Sequence, residues 1–579
     1  MRKTKIICTL GPATDKGNVM KELMLSGVDV VRFNFSHQTH EEHKTRYEKV
    51  VKIREELNLP IATLMDTKGP EIRLHLFDGG KAKIKEGNTF TLYTKEILGN
   101  SEQASITYAD FYKDITVGTR ILIDDGLIEL KVTSATQEKI ETIVVCGGTL
   151  KDRKSCNVPG VTLSIPYISE QDIEDITFAA RLGFDFIAAS FVRSKEDINQ
   201  IRSLLHRLGA DDIRIIAKIE NAEGVENIDE ILHIADGIMI ARGDMGVEIP
   251  FEQLPAIQKK LIKNAYLAGK MVITATQMLE SMIHSPRPTR AEASDIANAI
   301  YDGTSAIMLS GETAAGEYPV IALQTMDKIA RKAEGDIDYE KRFKNRDTDD
   351  NPNVTNAISE ATVTTAHTMH AGAIICVSKS GLTARMISKF RPSVPIVCCA
   401  MTEKVWRQLS LSWGVIPLKA EEKKSTDELF DHSVDVAVEA GIVGKGDLVV
   451  ITAGIPLGVS GTTNMLKVHV VGNILVTGSG INDMSVVANL CVCSTEEEAL
   501  EQFNPGDILV VPQTSNALMP LLREAAGIIT EIPGSDTHAA IVGMSLNIPV
   551  IVGASNATSM LHSGVTVALD AKRGIVTGN

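Results

Sequence analysis

Eight short apolar runs recur along the first 313 residues, each followed by a helical or polar segment. They are KIICTL, VDVVRFNFS and IATLMDT, then, after a long gap, FDFIAASFV, IRIIAKIE, GIMIARGD, MVITATQM and SAIMLSGET. Runs of this length read as buried strands, and strands that alternate with helices build a parallel sheet. Eight such units predict a (β/α)8 barrel, whose chemistry sits at the carboxyl ends of its strands.

Polar residues gather where that rule places function. In the stretch from Ile213 to Gly246 one strand ends in Lys218 and Glu220, which share a face because strand side chains alternate. The next strand ends in Asp244 after Gly243, and parallel strands joined by a helix share one rim. The second run ends in Arg32, Asn34 and Ser36, spaced i, i+2, i+4, and the third in Asp66 and Thr67. The seventh carries Thr274 and Thr276, also expected on one face. Two carboxylates beside substrate oxygens suit Mg²⁺ or a similar divalent ion such as Mn²⁺. A salt bridge on a polar rim explains the Lys218, Glu220 and Asp244 triplet by itself. It does not explain polar residues at the ends of several strands at once, because a packed barrel core wants Val, Ile and Leu there.

Composition narrows the function classes. At 579 residues the chain needs three or four domains. A net charge of −15 and 4% aromatics speak against a nucleic-acid or membrane-surface role. No apolar run reaches transmembrane length, and the N-terminus enters a strand with no signal-like segment. The 8 cysteines form no CxxC and read as reduced core residues of a cytosolic protein.

Seven longer motifs, in order, are RFNFSH (32–37), DTKGPEIR (66–73), KIENAEGV (218–225), ARGDMGVE (241–248), TATQMLESM (274–282), PRPTRAE (286–292) and SGETAAGEYP (310–319). Together they resemble the motif set of the pyruvate kinases, over a match from Ile6 to about residue 471. The resemblance implies phosphoenolpyruvate and ADP as substrates, pyruvate and ATP as products, Mg²⁺ and K⁺ as cofactors, and a homotetramer. It implies Mg²⁺ on Glu220 and Asp244, and K⁺ among Asn34, Ser36, Asp66 and Thr67. Glu71 is the residue type of K⁺-dependent members. Arg32, Arg73 and Lys218 supply positive charge, Lys218 acting on the transferring phosphoryl. Thr276 organises enolate protonation, and the backbone of Gly243 and Asp244 orients the substrate carboxylate. Asn34, His37, Arg73 and Lys154 are implied on the nucleotide.

The gap between the third and fourth runs holds short alternating segments with turn residues, the pattern of a small inserted antiparallel β-barrel. It leaves at Gly69–Pro70 and rejoins at Ile165–Pro166, which suits a lid that excludes water. The expected division is residues 1–69 and 166–340 for the barrel, 70–165 for the lid and 354–471 for a doubly wound α/β domain. After Gly335 the chain turns polar and reads as a linker or exposed helix-loop. The α/β domain should hold parallel strands AGAIICVS, PIVCCAM, WGVIPL, DLVVITAG and VHVV. Ser378, Lys379, Ser380, Gly381 and Thr383 lie between its first strand and a helix. Hydroxyls, a lysine and free N–H groups suit a phosphate, and an ordinary capped helix explains them as well. The family resemblance favours a phosphorylated allosteric effector there, with Gly454 to Asn464 as a second loop.

Residues 472–579 resemble the swivelling phosphohistidine domain of PEP synthases and pyruvate phosphate dikinases. In PGSDTHAAIVGMSLNIP the histidine is His538, but Asp536 replaces a hydroxyl and Met544 replaces an arginine. An added carboxylate repels a phosphoryl group, so a structural or regulatory role is expected. Competing readings are a metal-dependent lyase acting on pyruvate enolates, a phosphotransferase working through His538, and a catalytically dead sensor. The first does not need DTKGPEIR or a lid, the second lacks a nucleotide domain, and the third should have lost rim residues.

Overall fold

The computed structural model describes residues 1–346, 353–423, 425–455 and 463–578. Chain contacts divide it into two compact units, Met1–Asn351 with Ala384–Arg391 and Thr402–Pro417, and Pro352–Thr383 with Pro392–Met401 and Leu418–Asn579.

The first unit holds a closed barrel of eight strands: Lys5–Thr9, Val30–Asn34, Ala62–Asp66, Phe186–Ala189, Arg214–Ile219, Gly237–Ala241, Met271–Ala275 and Ala306–Leu309. These are the eight expected runs, paired parallel all the way round. One face of each strand fills the interior, with Ile7, Val30, Leu64, Phe186, Ile216, Met239, Ile273 and Met308 in one apolar cluster. The alternate residues, among them Val31, Met65, Ile187, Ile215 and Val272, pack outward in a second cluster that includes the helices. Helices begin on sequence signals: Thr39, Ser169 and Thr289 each form a reciprocal capping box with an acidic residue three positions on.

Alternation settles which rim residues look inward. Counting on from the interior face, Arg32, Asn34, Asp66, Ser190, Lys218 and Glu220 line the mouth. Thr274 does not, contrary to the expectation that it shares a face with Thr276. It is fully buried on the outer side, where its hydroxyl donates to Thr304 at 2.9 Å. Thr276 lies past the strand end with φ +67°.

The insertion is built of a six-stranded sheet and a two-stranded ribbon. Phe90, Leu92, Phe111, Ile121, Leu130 and Ile140 form its own core. Its strand pairs are antiparallel except Thr89–Tyr93 with Gln103–Ser105, which run parallel. Part of the polar stretch after Gly335 is a helix, Tyr339–Lys344, and it is not wholly exposed, since Tyr339 and Phe343 are buried.

A five-stranded sheet carries the α/β pattern. One correction concerns its last strand: Thr463–Val470 pairs antiparallel with Leu448–Gly454, so VHVV is the end of a longer, reversed edge strand. The remaining residues form an eight-stranded mixed sheet. Its strands are Asn473–Thr477, Ser479–Gly480, Ser485–Val492, Ile508–Val511, Gly527–Thr530, Val550–Val552, Thr566–Asp570 and Ile575–Gly578. All eight cysteines are free, and Cys146 departs from the core expectation by being exposed.

Candidate active site

Four charged side chains meet at the barrel mouth. The Asp66 carboxylate receives Arg32 Nε at 2.6 Å on one oxygen and Lys218 Nζ at 3.0 Å on the other. Lys218 also donates to Ser190 Oγ at 2.8 Å and lies 3.0 Å from Glu220. The second Glu220 oxygen takes the Phe191 N–H at 2.6 Å. Asp66 and Glu220 are each only 1% exposed, so their charges act in a poorly screened setting.

These carboxyls do not respond alike. Burial opposes the Asp66 charge, but Arg32 and Lys218 outweigh it and hold that carboxyl below the usual range. For Glu220, burial pushes the carboxyl up, Lys218 pulls it back and Asp244 adds to the rise, leaving it at about 7. Burial would likewise lower the Lys218 ammonium, yet Asp66 and Glu220 prevail and hold it above the ordinary lysine range. Lys218 is thus a firmly protonated, pre-positioned cation, satisfied mainly by Asp66. Glu220 and Asp244 form the under-compensated pair. Burial, partly offset by Arg73, raises the Glu71 carboxyl too, and Asp244 contributes to that rise.

The strand Gly237–Ala241 runs into the helix Arg242–Glu248, so Gly243 and Asp244 stand in its first turn at the mouth. The Gly243 N–H donates to Thr276 Oγ1 at 2.9 Å, and that hydroxyl donates to the Ala275 carbonyl at 2.6 Å. Asn34 Oδ1 accepts the Ser36 N–H at 3.1 Å, and Thr67 Oγ1 accepts the Ser190 N–H at 3.0 Å. This corner is therefore rich in oxygen atoms held by backbone.

Other expected site residues bond elsewhere. Arg73 pairs with Glu71 at 2.7 Å and donates to the Arg153 carbonyl, both in the inserted domain. Lys154 pairs with Asp124 at 2.6 Å within the same insertion. The His37 carbonyl accepts from the His43 ring at 3.0 Å. In the second unit Ser378 ends the strand Ala373–Ser378, Gly381 has φ +72° and Thr383 hydrogen-bonds Thr463 at 2.8 Å. The Ser380 hydroxyl accepts the Leu382 N–H at 3.4 Å, and Lys379 is held by Glu422 at 2.5 Å. Gly454, Ile455, Thr463 and Asn464 of the second loop are described, and residues 456–462 lie outside the described residues.

Sequence reasoning missed three participants. Ser190 bridges Lys218, Asp66 and Thr67, and it follows Ala188 on the inward face of FDFIAASFV, so alternation alone could have found it. Thr9 takes Arg32 Nη1 at 3.1 Å. Arg242 holds the backbone at Thr276, which no local pattern signals. In the last segment His538 Nδ1 lies 2.9 Å from the Thr514 hydroxyl and Nε2 lies 3.2 Å from Asn516 Oδ1, so both ring nitrogens are engaged.

Comparison with known proteins gives this geometry a family. The pyruvate kinase barrel domain matches residues 1–323, the pyruvate kinase alpha/beta domain residues 356–469, and the mobile domain of PEP-utilising enzymes residues 503–574. A pyruvate kinase of Geobacillus stearothermophilus is 48% identical, over 99% of this chain and 98% of that protein. One of Sporosarcina psychrophila is 46% identical, over 100% and 99%. The crystal structure of a pyruvate kinase from Cryptosporidium parvum superposes with TM-score 0.77 at 37% identity, covering 81% of this chain and 96% of that one. With a full-length match on these terms and a barrel whose mouth gathers a lysine and three carboxylates, the chain belongs to the pyruvate kinase family.

Proposed function

We propose that this chain transfers the phosphoryl group of phosphoenolpyruvate to ADP, giving pyruvate and ATP, at the barrel mouth. The observation that carries this reading is Lys218, a buried cation fixed between Asp66, Ser190 and Glu220. Phosphoryl transfer needs positioned positive charge more than covalent chemistry, and a fixed ammonium provides it without reorganisation.

The donor set fits a divalent ion. Two carboxylates, Glu220 and Asp244, repel each other, and burial together with that repulsion outweighs Lys218 and leaves the Glu220 carboxyl at about 7. In this reading they hold Mg²⁺ or Mn²⁺, and Asn34, Ser36, Asp66 and Thr67 hold K⁺. When bound, these cations would supply positive charge to offset the negative charge of the substrate's phosphate and enolate oxygens. Arg32, anchored on Asp66, faces the phosphoryl group from the other side. At the helix start the Asp244 N–H orients the substrate carboxylate, while the Gly243 N–H holds Thr276 Oγ1. Lys218 stabilises the phosphoryl group as it leaves the enol oxygen for the ADP oxygen. The enolate left behind takes a proton at its methylene carbon from water, which the Thr276 hydroxyl orients. Arg73, His37, Asn34 and Lys154 serve the nucleotide, and Arg73 and Lys154 reach their places when residues 70–165 close as a lid.

The rest of the reading concerns regulation and assembly. Residues 354–471 take a phosphorylated effector at Ser378, Lys379, Ser380, Gly381 and Thr383. Residues 472–579 act structurally or in regulation, and the working form is a homotetramer. Pyruvate formation from phosphoenolpyruvate and ADP with Mg²⁺ tests the activity, run with and without K⁺. Ribose 5-phosphate, AMP or fructose 1,6-bisphosphate is then added. Turnover that needs both cations and responds to one phosphorylated compound supports the whole reading. Turnover blind to all three compounds removes the effector, and no turnover removes the function.

A further inference from the structure

We infer that Arg242 is a positioning residue that sets the Thr276 hydroxyl for the proton step. This rests on the role proposed for Thr276. Backbone geometry raises the question. Thr276 and Gln277 have φ +67° and +54°, the left-handed region that a β-branched residue avoids. Two successive residues of this kind persist only where their surroundings over-determine them.

Arg242 provides that restraint. It follows Ala241, the last residue to pair with the seventh strand, so it stands level with Thr276. Its Nε donates to the Ala275 carbonyl at 3.1 Å and its Nη2 to the Thr276 carbonyl at 2.6 Å. The other arm, Nη1, reaches both carboxylate oxygens of Asp295 at 2.7 Å. One planar fork therefore ties two consecutive carbonyls to a helix, Arg290–Asp302, that packs on the barrel. The Ala275 carbonyl that takes Arg242 Nε also takes the Thr276 hydroxyl, and the next residue, Gly243, donates its N–H to that hydroxyl. Position and rotation of Oγ1 are both fixed from residues 242 and 243. The guanidinium is turned toward Asp295 and Gln258, away from the mouth, so it acts through Thr276 and not on substrate. Lysine carries the charge but lacks the fork.

The test uses the full-length, Mg²⁺-loaded enzyme and follows both turnover and exchange of the pyruvate methyl protons with solvent. Arg242→Gln should lower kcat and proton exchange together by about 10²-fold, the cost of a misplaced reacting group. The half-saturating phosphoenolpyruvate and Mg²⁺ concentrations should stay within about threefold, and Arg242→Lys should recover part of the loss. In a Thr276→Ala background Arg242→Gln should add less than about threefold, because the two residues act as one unit. Equal losses in both backgrounds overturn the positioning role and leave Thr276 its own. A Thr276→Ala enzyme with full proton exchange overturns the Thr276 role, and the clamp falls with it. Asp295→Asn loosens the anchor without touching Arg242 and guards against a misfolded variant. It should show the same kcat-only loss in weaker form, and a change confined to KM contradicts the inference.

Discussion

The two ends of the barrel each bury a carboxylate among cations, with opposite results. At the amino end Asp185 is fully buried and takes the Thr63 N–H at 2.9 Å, the Thr63 hydroxyl at 3.1 Å and Arg407 Nε at 3.0 Å. Arg54 stands 3.8 Å away, and Gln408 donates to the Asp185 carbonyl at 3.1 Å. Leu411 of the same segment joins the barrel's interior cluster. At the carboxyl end Glu220 has one backbone N–H and a share of Lys218, and its carboxyl stands at about 7. A buried carboxylate whose lone pairs are all met is costly to part from its partners; one met less fully keeps charge to offer another cation. The contrast follows the rule that the lower rim of such a barrel serves stability and the upper rim serves chemistry.

The comparison breaks most visibly at Lys218. Lys218→Met should cut phosphoryl transfer by about 10³-fold or more, as loss of a transition-state cation does, while the protein still folds. Steady-state rates beside a melting curve check both halves. Asp185→Asn should do the reverse. It leaves the buried Arg407 guanidinium with only the exposed Glu403, 3.8 Å away, as counter-charge, costs about 3–5 kcal/mol of stability and leaves kcat of the folded fraction near wild type; urea unfolding followed by the same assay reads it. Glu220→Gln sharpens the contrast. The Mg²⁺ concentration for half-maximal rate should rise about 10- to 100-fold, with no loss of metal-free thermal stability, since the carboxylate is not stabilising there. At the small end stands Lys379–Glu422, a pair whose side chains are 41% and 63% exposed. Glu422→Gln should change stability by less than about 1 kcal/mol, as solvent-exposed pairs do. A larger change means that exposed pairs carry more of this fold than the buried cluster at the base implies.

Much of this was written locally in the chain. Eight runs gave the barrel because a parallel strand buried on both faces leaves an unbroken apolar signature. Lys218 and Glu220 were placed by alternation, and alternation also holds Ser190, which was overlooked. Thr274 was misjudged because the period-two argument was carried across Thr276, where a positive φ breaks it. Arg242 was invisible, since its role depends on a neighbouring strand 34 residues on and a helix 53 residues on. Residues 384–391 and 402–417 read as part of the α/β domain and lie within the stretch that matches the alpha/beta domain of the family, while by contact they group with the barrel unit. Strand direction failed at Thr463–Val470 for a like reason: an apolar run does not say which way its neighbour points.

The most direct test of the account is a single comparison of pyruvate formation from phosphoenolpyruvate and ADP, with Mg²⁺ and K⁺, by the wild-type chain and its Lys218→Met variant. The account predicts vigorous wild-type turnover and a loss of about 10³-fold or more in a variant that melts as a folded protein. Comparable rates from the two proteins would contradict it, because the barrel mouth would then not be where the phosphoryl group moves.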